Sequence, residues 1–425
     1  MTGWEEAPCA RSQQRFLLEE GLAPGQDDNH VVLAYLLTGP LDPAALAAAF
    51  DDVVRRHGIL RTLYSWDADP GPVQRELPFD PARTPLTVVP VADTTRPVCE
   101  IAAEVCADWW DQPFDLEGRP PLRARLARLT GSSWLLCLSL HHIAFDGRSE
   151  LVLMADLGAA YRAQSEGRTP DPAAVHSYQD YARWEARRIE EWSARDIPFW
   201  RDLLAEAPPR ILPAPNAAQA GRREHGTVLD APTVSRVQDG IRAARSIPLS
   251  ALLHGTARAV GQVFAVDDVV LATISSGRFE RRYDAVVGCF VNPVVLPLRE
   301  VGKSDSAEGV ARANRLVLRA LRRARTPFDE IARALGGRVD VAGFFDVMVA
   351  LQAPEPAGSF DDAEITFRPV RVRAPRAGYG LIVEVEPRHD GAWALTARWR
   401  EDLVEEDAGR AVVAALEEHL MSLGT

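Results

Sequence analysis

The chain has 425 residues, more than one hydrophobic core usually organises, so two domains of roughly 200 residues each are expected. Hydrophobic residues make up 47% and charged residues 25%, the balance of a soluble globular protein, which excludes wholesale disorder. A formal net charge of -12 argues against a nucleic-acid polyanion as the main partner, because that binding needs clustered Lys and Arg.

In chain order, His30–Leu37 reads as a strand and Asp42–His57 as a helix, with Pro43 just behind the candidate cap Asp42. Ile59–Trp66 returns to strand and Ile101–Trp110 to helix. Leu122–Leu129 and Trp134–Leu140 form a hairpin about Thr130-Gly131-Ser132. Glu150–Tyr161 is a strongly apolar helix, Pro170 and Pro172 mark a Pro-rich stretch, and Ser177–Ala205 carries a long amphipathic helix broken near Pro198. Ala207–Gly226, with Pro208, Pro209, Pro213 and Pro215, reads as a linker, which divides the chain into residues 1–206 and 207–425.

The second half repeats the mixture. Helices are expected at Thr233–Ala244, Leu249–Phe264, Ser306–Arg323, Pro327–Leu335 and Glu405–Leu420, and strands at Val269–Ser275, Phe290–Leu298, Phe344–Leu351, Glu364–Val372, Gly380–Pro387 and Trp393–Trp399. The expected fold class is α/β, as two related sandwich-like lobes facing each other.

Cys9, Cys99, Cys106, Cys137 and Cys289 form no Cys-x-x-Cys pair and read as reduced packing residues; no zinc or haem spacing occurs, so no metal is implied. No apolar run approaches the roughly 20 residues that cross a bilayer, and Met1–Arg15 lacks the order of a signal peptide, so a cytoplasmic location is expected. Trp109, Trp110, Trp184, Trp192 and Trp200 read as packing residues, and Arg322-Arg323-Ala324-Arg325 as a solvated helix face that could also receive an acidic partner.

The chemistry concentrates where the strand Trp134–Leu140 ends in His141-His142-Ile143-Ala144-Phe145-Asp146-Gly147. Side chains alternate along a strand, so His141 and His142 point to opposite faces. An imidazole with an ordinary pKa near 6.5 can take a proton from an attacking amine or hydroxyl, the role read for His142. Asp146 is placed to brace the loop by pairing with an arginine, and Arg61, on a neighbouring strand, is the expected partner. Gly147 lets the chain turn sharply into the following helix. Alone, a His-His pair at a strand end can simply satisfy backbone groups, and His, three residues, Asp is a common spacing.

Seven segments give that loop its context. Ser12-Gln13-Gln14-Arg15-Phe16-Leu17, Arg55–Thr62, His141–Gly147, Tyr178–Trp184, Val287–Asn292 preceded by Ser276-Gly277-Arg278, Arg325–Glu330 and Val339–Val347 fall in the order of the motifs of nonribosomal peptide synthetase condensation domains, which the chain resembles over nearly its whole length. Two depart from the pattern: no tryptophan follows Arg15, and the last keeps Phe345-Asp346-Val347 without the basic-polar-Pro run.

The resemblance implies two chloramphenicol-acetyltransferase-like lobes in a V with a central tunnel. It implies an acyl or aminoacyl thioester delivered on the phosphopantetheine arm of a carrier protein to an amine or hydroxyl acceptor, giving an amide or ester, with no cofactor bound by the enzyme itself. His142 matches the catalytic histidine, Asp146 the structural aspartate and Gly147 the glycine whose backbone approaches the reacting centre. His141, Ser149 and Asn292 line up with supporting positions, the last two beside the substrate tunnel.

Aspartates in place of His141 and His142 would mark a heterocyclising relative, and Val287–Asn292 is similar to the condensing rather than the epimerising type. The alternatives carried are a stand-alone acyltransferase using acyl-coenzyme A, against which no Asp-Phe-Gly-Trp-Gly segment is found, and a non-catalytic recruitment module, in which the histidine motif is usually degraded. With no adenylation or carrier domain in the sequence, and a start Met1-Thr2-Gly3-Trp4, a free-standing enzyme is expected.

Overall fold

The computed structural model describes residues 5–22, 29–69, 71–169, 176–205, 207–213, 221–303, 306–336, 345, 347–353, 358–360, 364–372 and 379–424. Pro170, Pro172, the start Met1–Trp4 and most of the seventh motif lie outside them. The chain divides into two compact units, and a single boundary at 206 does not describe the division. The first unit is Met1–Arg188 together with Arg278–Phe290 and Pro356–Pro375; the second is Ile189–Gly277, Val291–Glu355 and Arg376–Thr425. Two pieces of the second half therefore belong to the first unit. One of them supplies edge strands to its sheet, a pairing between distant segments that local sequence does not signal.

The first unit contains a six-stranded sheet in the order β12-β13-β2-β7-β6-β5, with β2 His30–Thr38, β5 Leu86–Val89, β6 Leu122–Arg128, β7 Ser133–His141, β12 Gly358–Ser359 and β13 Thr366–Pro369. β7 lies inside the sheet, and its run Trp134–His141 is buried throughout, as a strand covered on both faces requires. The expected hairpin is present: Leu122 pairs with Leu140 and Arg128 with Trp134. On one face, Ile101, Ala102 and Trp109, from α3 (Val98–Val105) and the 3-10 turn after it, close over Leu135 and Cys137. Elsewhere in the unit, α2 (Pro43–Arg56) packs along α4 (Gly147–Ser165); Asp42 caps α2 by accepting from Ala44 N at 2.8 Å, and His57 at its C-terminus meets Asp156 at 2.7 Å.

A separate three-stranded sheet, β1-β4-β3, joins Glu5–Pro8, Val73–Glu76 and Thr62–Ser65. Where a strand was expected from Ile59, the chain makes a 3-10 turn over Gly58–Arg61 before β3 begins. α1 (Arg11–Leu22) completes the unit, along with the first part of α5 (Tyr178–Leu204), which runs on into the second unit unbroken through Pro198.

In the second unit the sheet order is β10-β9-β11-β14-β15-β8, with β8 Arg222–Leu229, β9 Val269–Ser275, β10 Asn292–Leu298, β11 Val347–Leu351, β14 Leu381–Pro387 and β15 Trp393–Arg400. β11 runs parallel to both neighbours and the other pairs are antiparallel. β8 begins inside the segment read as a linker. α7 (Pro248–Phe264), buried along most of its length, packs against α8 (Ser306–Leu321) and α10 (Glu406–Met421), with α6 (Ala231–Ala243) and α9 (Phe328–Ala334) completing the unit. Among the described residues no helix is long and apolar enough to cross a membrane.

Phe360, directly after β12, is 1% exposed and lies against the rings of Tyr161 and Phe367, where Gly158 of α4 leaves room for it. Phe360→Ala should cost about 3–5 kcal/mol in urea unfolding. A loss below about 1 kcal/mol would show that this late segment is not part of the first unit's core.

Candidate active site

The whole histidine loop, with its partners, lies within the first unit. β7 ends where His141 pairs with His30 of β2. His142 then leaves the ladder: its N–H donates to the carbonyl of Asn29 at 2.8 Å, and its own carbonyl accepts from Phe145 N at 3.3 Å, closing a 3-10 turn over His142–Ala144. The two histidines thus differ less by strand alternation than by element. His141 is the last strand residue and fully buried, whereas His142 belongs to the turn and is half-buried.

Phe145 and Asp146 are extended, and α4 starts at Gly147. Gly147 is the first helical residue, so the change of direction comes from the extended Asp146 in the N-cap position and not from a glycine turn.

Asp146, 2% exposed, accepts from every side. Its Oδ1 takes the N–H of Ser149 at 2.8 Å and lies 2.7 Å from the Ser149 hydroxyl; Oδ2 takes the N–H of Phe290 at 3.1 Å. The arginine is Arg278, not Arg61: Arg278 Nη2 donates to the two carboxylate oxygens at 3.0 and 3.3 Å. Arg61 instead meets Glu76 at 2.6 Å within the small sheet, where Glu76 lies opposite the next residue, Thr62. Arg278 is in turn held by the carbonyls of Tyr283 and Val286, both at 2.7 Å, and its guanidinium lies 4.0 Å from the Phe290 ring centroid. The sequence offered Arg278 within Ser276-Gly277-Arg278, but nothing local linked it to a carboxylate 132 positions away.

Ser149, expected beside the substrate tunnel, is committed to the framework of the loop. It is fully buried, accepts from Gly288 N at 3.0 Å and Arg278 Nη2 at 3.0 Å, and can donate to Asp146 or to the Gly288 carbonyl at 2.8 Å. Gly288 must be glycine, because a Cβ there would stand 2.0 Å from the ring of Tyr178. The Tyr178 hydroxyl donates to the Cys289 carbonyl, which also accepts from Ser12 Oγ at 2.7 Å. Residues from four of the motif segments, represented by Ser12, Asp146, Tyr178 and Gly288, thus converge on one knot. Asn292, also expected beside the substrate, has its amide committed to backbone within the second unit, donating to the Ala324 and Thr326 carbonyls and accepting from Phe328 N, all at 2.9 Å.

The His142 ring stacks on Phe16 of α1, with centroids 5.0 Å apart and planes 19° apart. Its Nδ1 faces Cys289 Sγ at 3.7 Å, and among the described residues Nε2 has no hydrogen-bond partner. Burial depresses its pKa below the ordinary 6.5; its own carbonyl and the Asp146 charge pull upward, while Arg15 and His141 add to the depression. The result is a neutral imidazole near neutral pH with a nitrogen free of described partners. Phe16, which falls in a motif without a role of its own, and Cys289, read only as a packing residue, are its immediate neighbours.

Solved structures share this fold. The X-domain from teicoplanin biosynthesis matches with a TM-score of 0.82 and 26% identity over 100% of this chain and 97% of that one. The epimerization domain from the third module of tyrocidine synthetase B matches at 0.84 and 17% over 99% and 96%, and SgcC5 from Streptomyces globisporus at 0.81 and 21% over 98% of both. The fold is therefore the chloramphenicol-acetyltransferase-like α/β fold of condensation domains. The family model described as Condensation domain matches residues 4–423, and the chain belongs to that family.

Among curated relatives, phosphinothricin tripeptide synthetase PhsB of Streptomyces viridochromogenes is 30% identical over 81% of this chain, and the dimodular nonribosomal peptide synthase of Bacillus subtilis 27% over 99%. The chain spans only 30% and 18% of those proteins' lengths.

Breaking the buried pair leaves an uncompensated charge, so Asp146→Ala should destabilise the protein by about 3–5 kcal/mol in urea unfolding. Arg61→Ala, whose pair is less buried, should cost about 1 kcal/mol or less. Equal losses would contradict the assignment of Arg278 as the partner.

Proposed function

We propose that the chain transfers a carrier-protein-tethered acyl or aminoacyl thioester to an amine or hydroxyl acceptor, forming an amide or an ester. The observation that carries this reading is the placement of the His142 ring, held by Phe16 and Cys289 with its Nε2 free of protein partners among the described residues, where burial lowers its pKa. A thioester is already activated, so the protein needs to orient two substrates and handle one proton. The acceptor nitrogen or oxygen attacks the thioester carbonyl while His142 takes or steers its proton. When the tetrahedral intermediate collapses, the carbon–sulfur bond breaks and the phosphopantetheine sulfur leaves as a thiol carrying that proton. The imidazole returns neutral, and no covalent enzyme intermediate is required.

His141, sealed away from solvent, supports the loop, as do Asp146 with Arg278 and Ser149. Gly147, exposed at the start of α4, keeps the approach to the helix N-terminus free of a side chain. The chain's own residues call for no resident cofactor in this chemistry; phosphopantetheine belongs to the carrier. An acidic carrier domain is the expected partner and the cytoplasm the expected location, whether the chain acts alone or within a larger synthetase.

Mass spectrometry of products tests the proposal, with several loaded carriers and the matching acyl-coenzyme A thioesters offered to free amines and alcohols. Product should form from loaded carriers and fall by about a hundredfold or more in His142→Ala. Equal turnover with acyl-coenzyme A would transfer the reading to a coenzyme A-dependent acyltransferase. An active His142→Ala would remove the mechanism.

A further inference from the structure

Phe16 and Glu20 lie four residues apart on α1 and so share a helix face; Phe16 touches both histidine rings of the loop, stacked on His142 and edge-on to His141 at 6.3 Å. Glu20 makes two contacts through one atom. Its Oε1 lies 3.1 Å from His141 Nε2 and accepts from Asn29 Nδ2 at 3.1 Å. The other nitrogen of His141, Nδ1, accepts the backbone N–H of Ile143 at 3.0 Å. An accepting Nδ1 carries no proton, so in the neutral ring the proton sits on Nε2, and Glu20 is the acceptor facing it. Asn29, the other group bound to Glu20, gives its backbone carbonyl to the N–H of His142 at 2.8 Å.

We propose that Glu20 is a positioning residue of this site. One carboxylate oxygen holds His141 in the Nε2–H form and steadies Asn29, and these two residues fix the successive backbone N–H groups of Ile143 and His142 that set the turn presenting the catalytic imidazole. Without an acceptor at position 20 the buried His141 can place its proton on Nδ1. An N–H then confronts the N–H of Ile143, two donors with no acceptor between them, and the turn has to open. Burial raises the Glu20 pKa, but the hydrogen bonds from His141 and the Asn29 amide outweigh it, so the carboxyl titrates below its ordinary value and stays ionised near neutral pH. The kinetic part of this inference rests on the acyl-transfer reading above; the tautomer part does not.

The test uses the full chain with 15N-labelled histidine, His141 being assigned from a His141→Asn variant. Ring-nitrogen shifts should report Nε2–H for His141 in the parent protein and in Glu20→Gln, whose amide oxygen can still accept. In Glu20→Leu the Nδ1–H form should appear. In the same variant kcat should fall about tenfold or more, as expected when a wrong histidine tautomer disturbs a site, with the KM for the loaded carrier within about threefold of the parent. Glu20→Gln should recover most of the loss.

An Nδ1–H ring in the parent, or an unchanged His141 spectrum in Glu20→Leu, would overturn the hold on the tautomer. A shifted tautomer with full kcat would overturn the positioning role. A parent protein that forms no product, while its tautomer responds as expected, would overturn the acyl-transfer reading and support the hold by Glu20.

Discussion

Everything at the site depends on one buried carboxylate. Asp146 is almost sealed from water and would be prohibitively costly to ionise without partners, yet it is ringed by donors from three residues, Ser149, Arg278 and Phe290. Those donors arrive from two distant stretches of the chain, so the carboxylate works as a clamp. It caps α4, locks the Gly288–Phe290 segment against that helix and thereby places Cys289 beside the His142 ring. A loop determined from so many directions holds a geometry that its own seven residues would not keep alone.

Adjacent histidines emerge from this frame with opposite characters. His141 has both ring nitrogens engaged and no exposed surface, while the half-buried His142 is held by stacking and keeps its Nε2 free of described partners. Desolvation lowers the pKa of the second ring below the ordinary 6.5 and so favours its neutral form. The same burial that fixes its position therefore also selects its protonation state. In the proposed reaction, proton acceptance would need no further activating group, because a thioester is already reactive.

Much of this was legible in the sequence wherever the signal was local. The apolar run into His141, the hairpin at Gly131 and the Asp42-Pro43 helix start all rest on neighbouring residues, and each is found where expected. Strands of four residues such as β1, β4 and β5 are too short for alternation to mark them. Pro198 in a helix interior costs about 3 kcal/mol, yet α5 continues through it, with buried Trp192 and Trp200 on either side and the bond from Thr326 to Asp196 at 3.0 Å tying the segment down. The arginine was misassigned for a related reason. Arg61 belongs to the motif that precedes the histidine loop, but its partner Glu76 sits opposite the next residue in the adjoining strand, whereas Arg278 reaches Asp146 only through tertiary structure. A single cut at 206 failed likewise, because β12 and β13 join a sheet whose other strands are made long before them.

If the fold presents His142 as a neutral proton acceptor, as proposed, the titration of that ring shows it directly. Following the His142 ring by NMR as pH is lowered should give a midpoint below the ordinary 6.5, since a depressed pKa keeps the ring neutral as pH falls past that value. A midpoint at or above 6.5 would mean that the ring is charged at least as readily as a free imidazole, and would overturn the proposed role of His142.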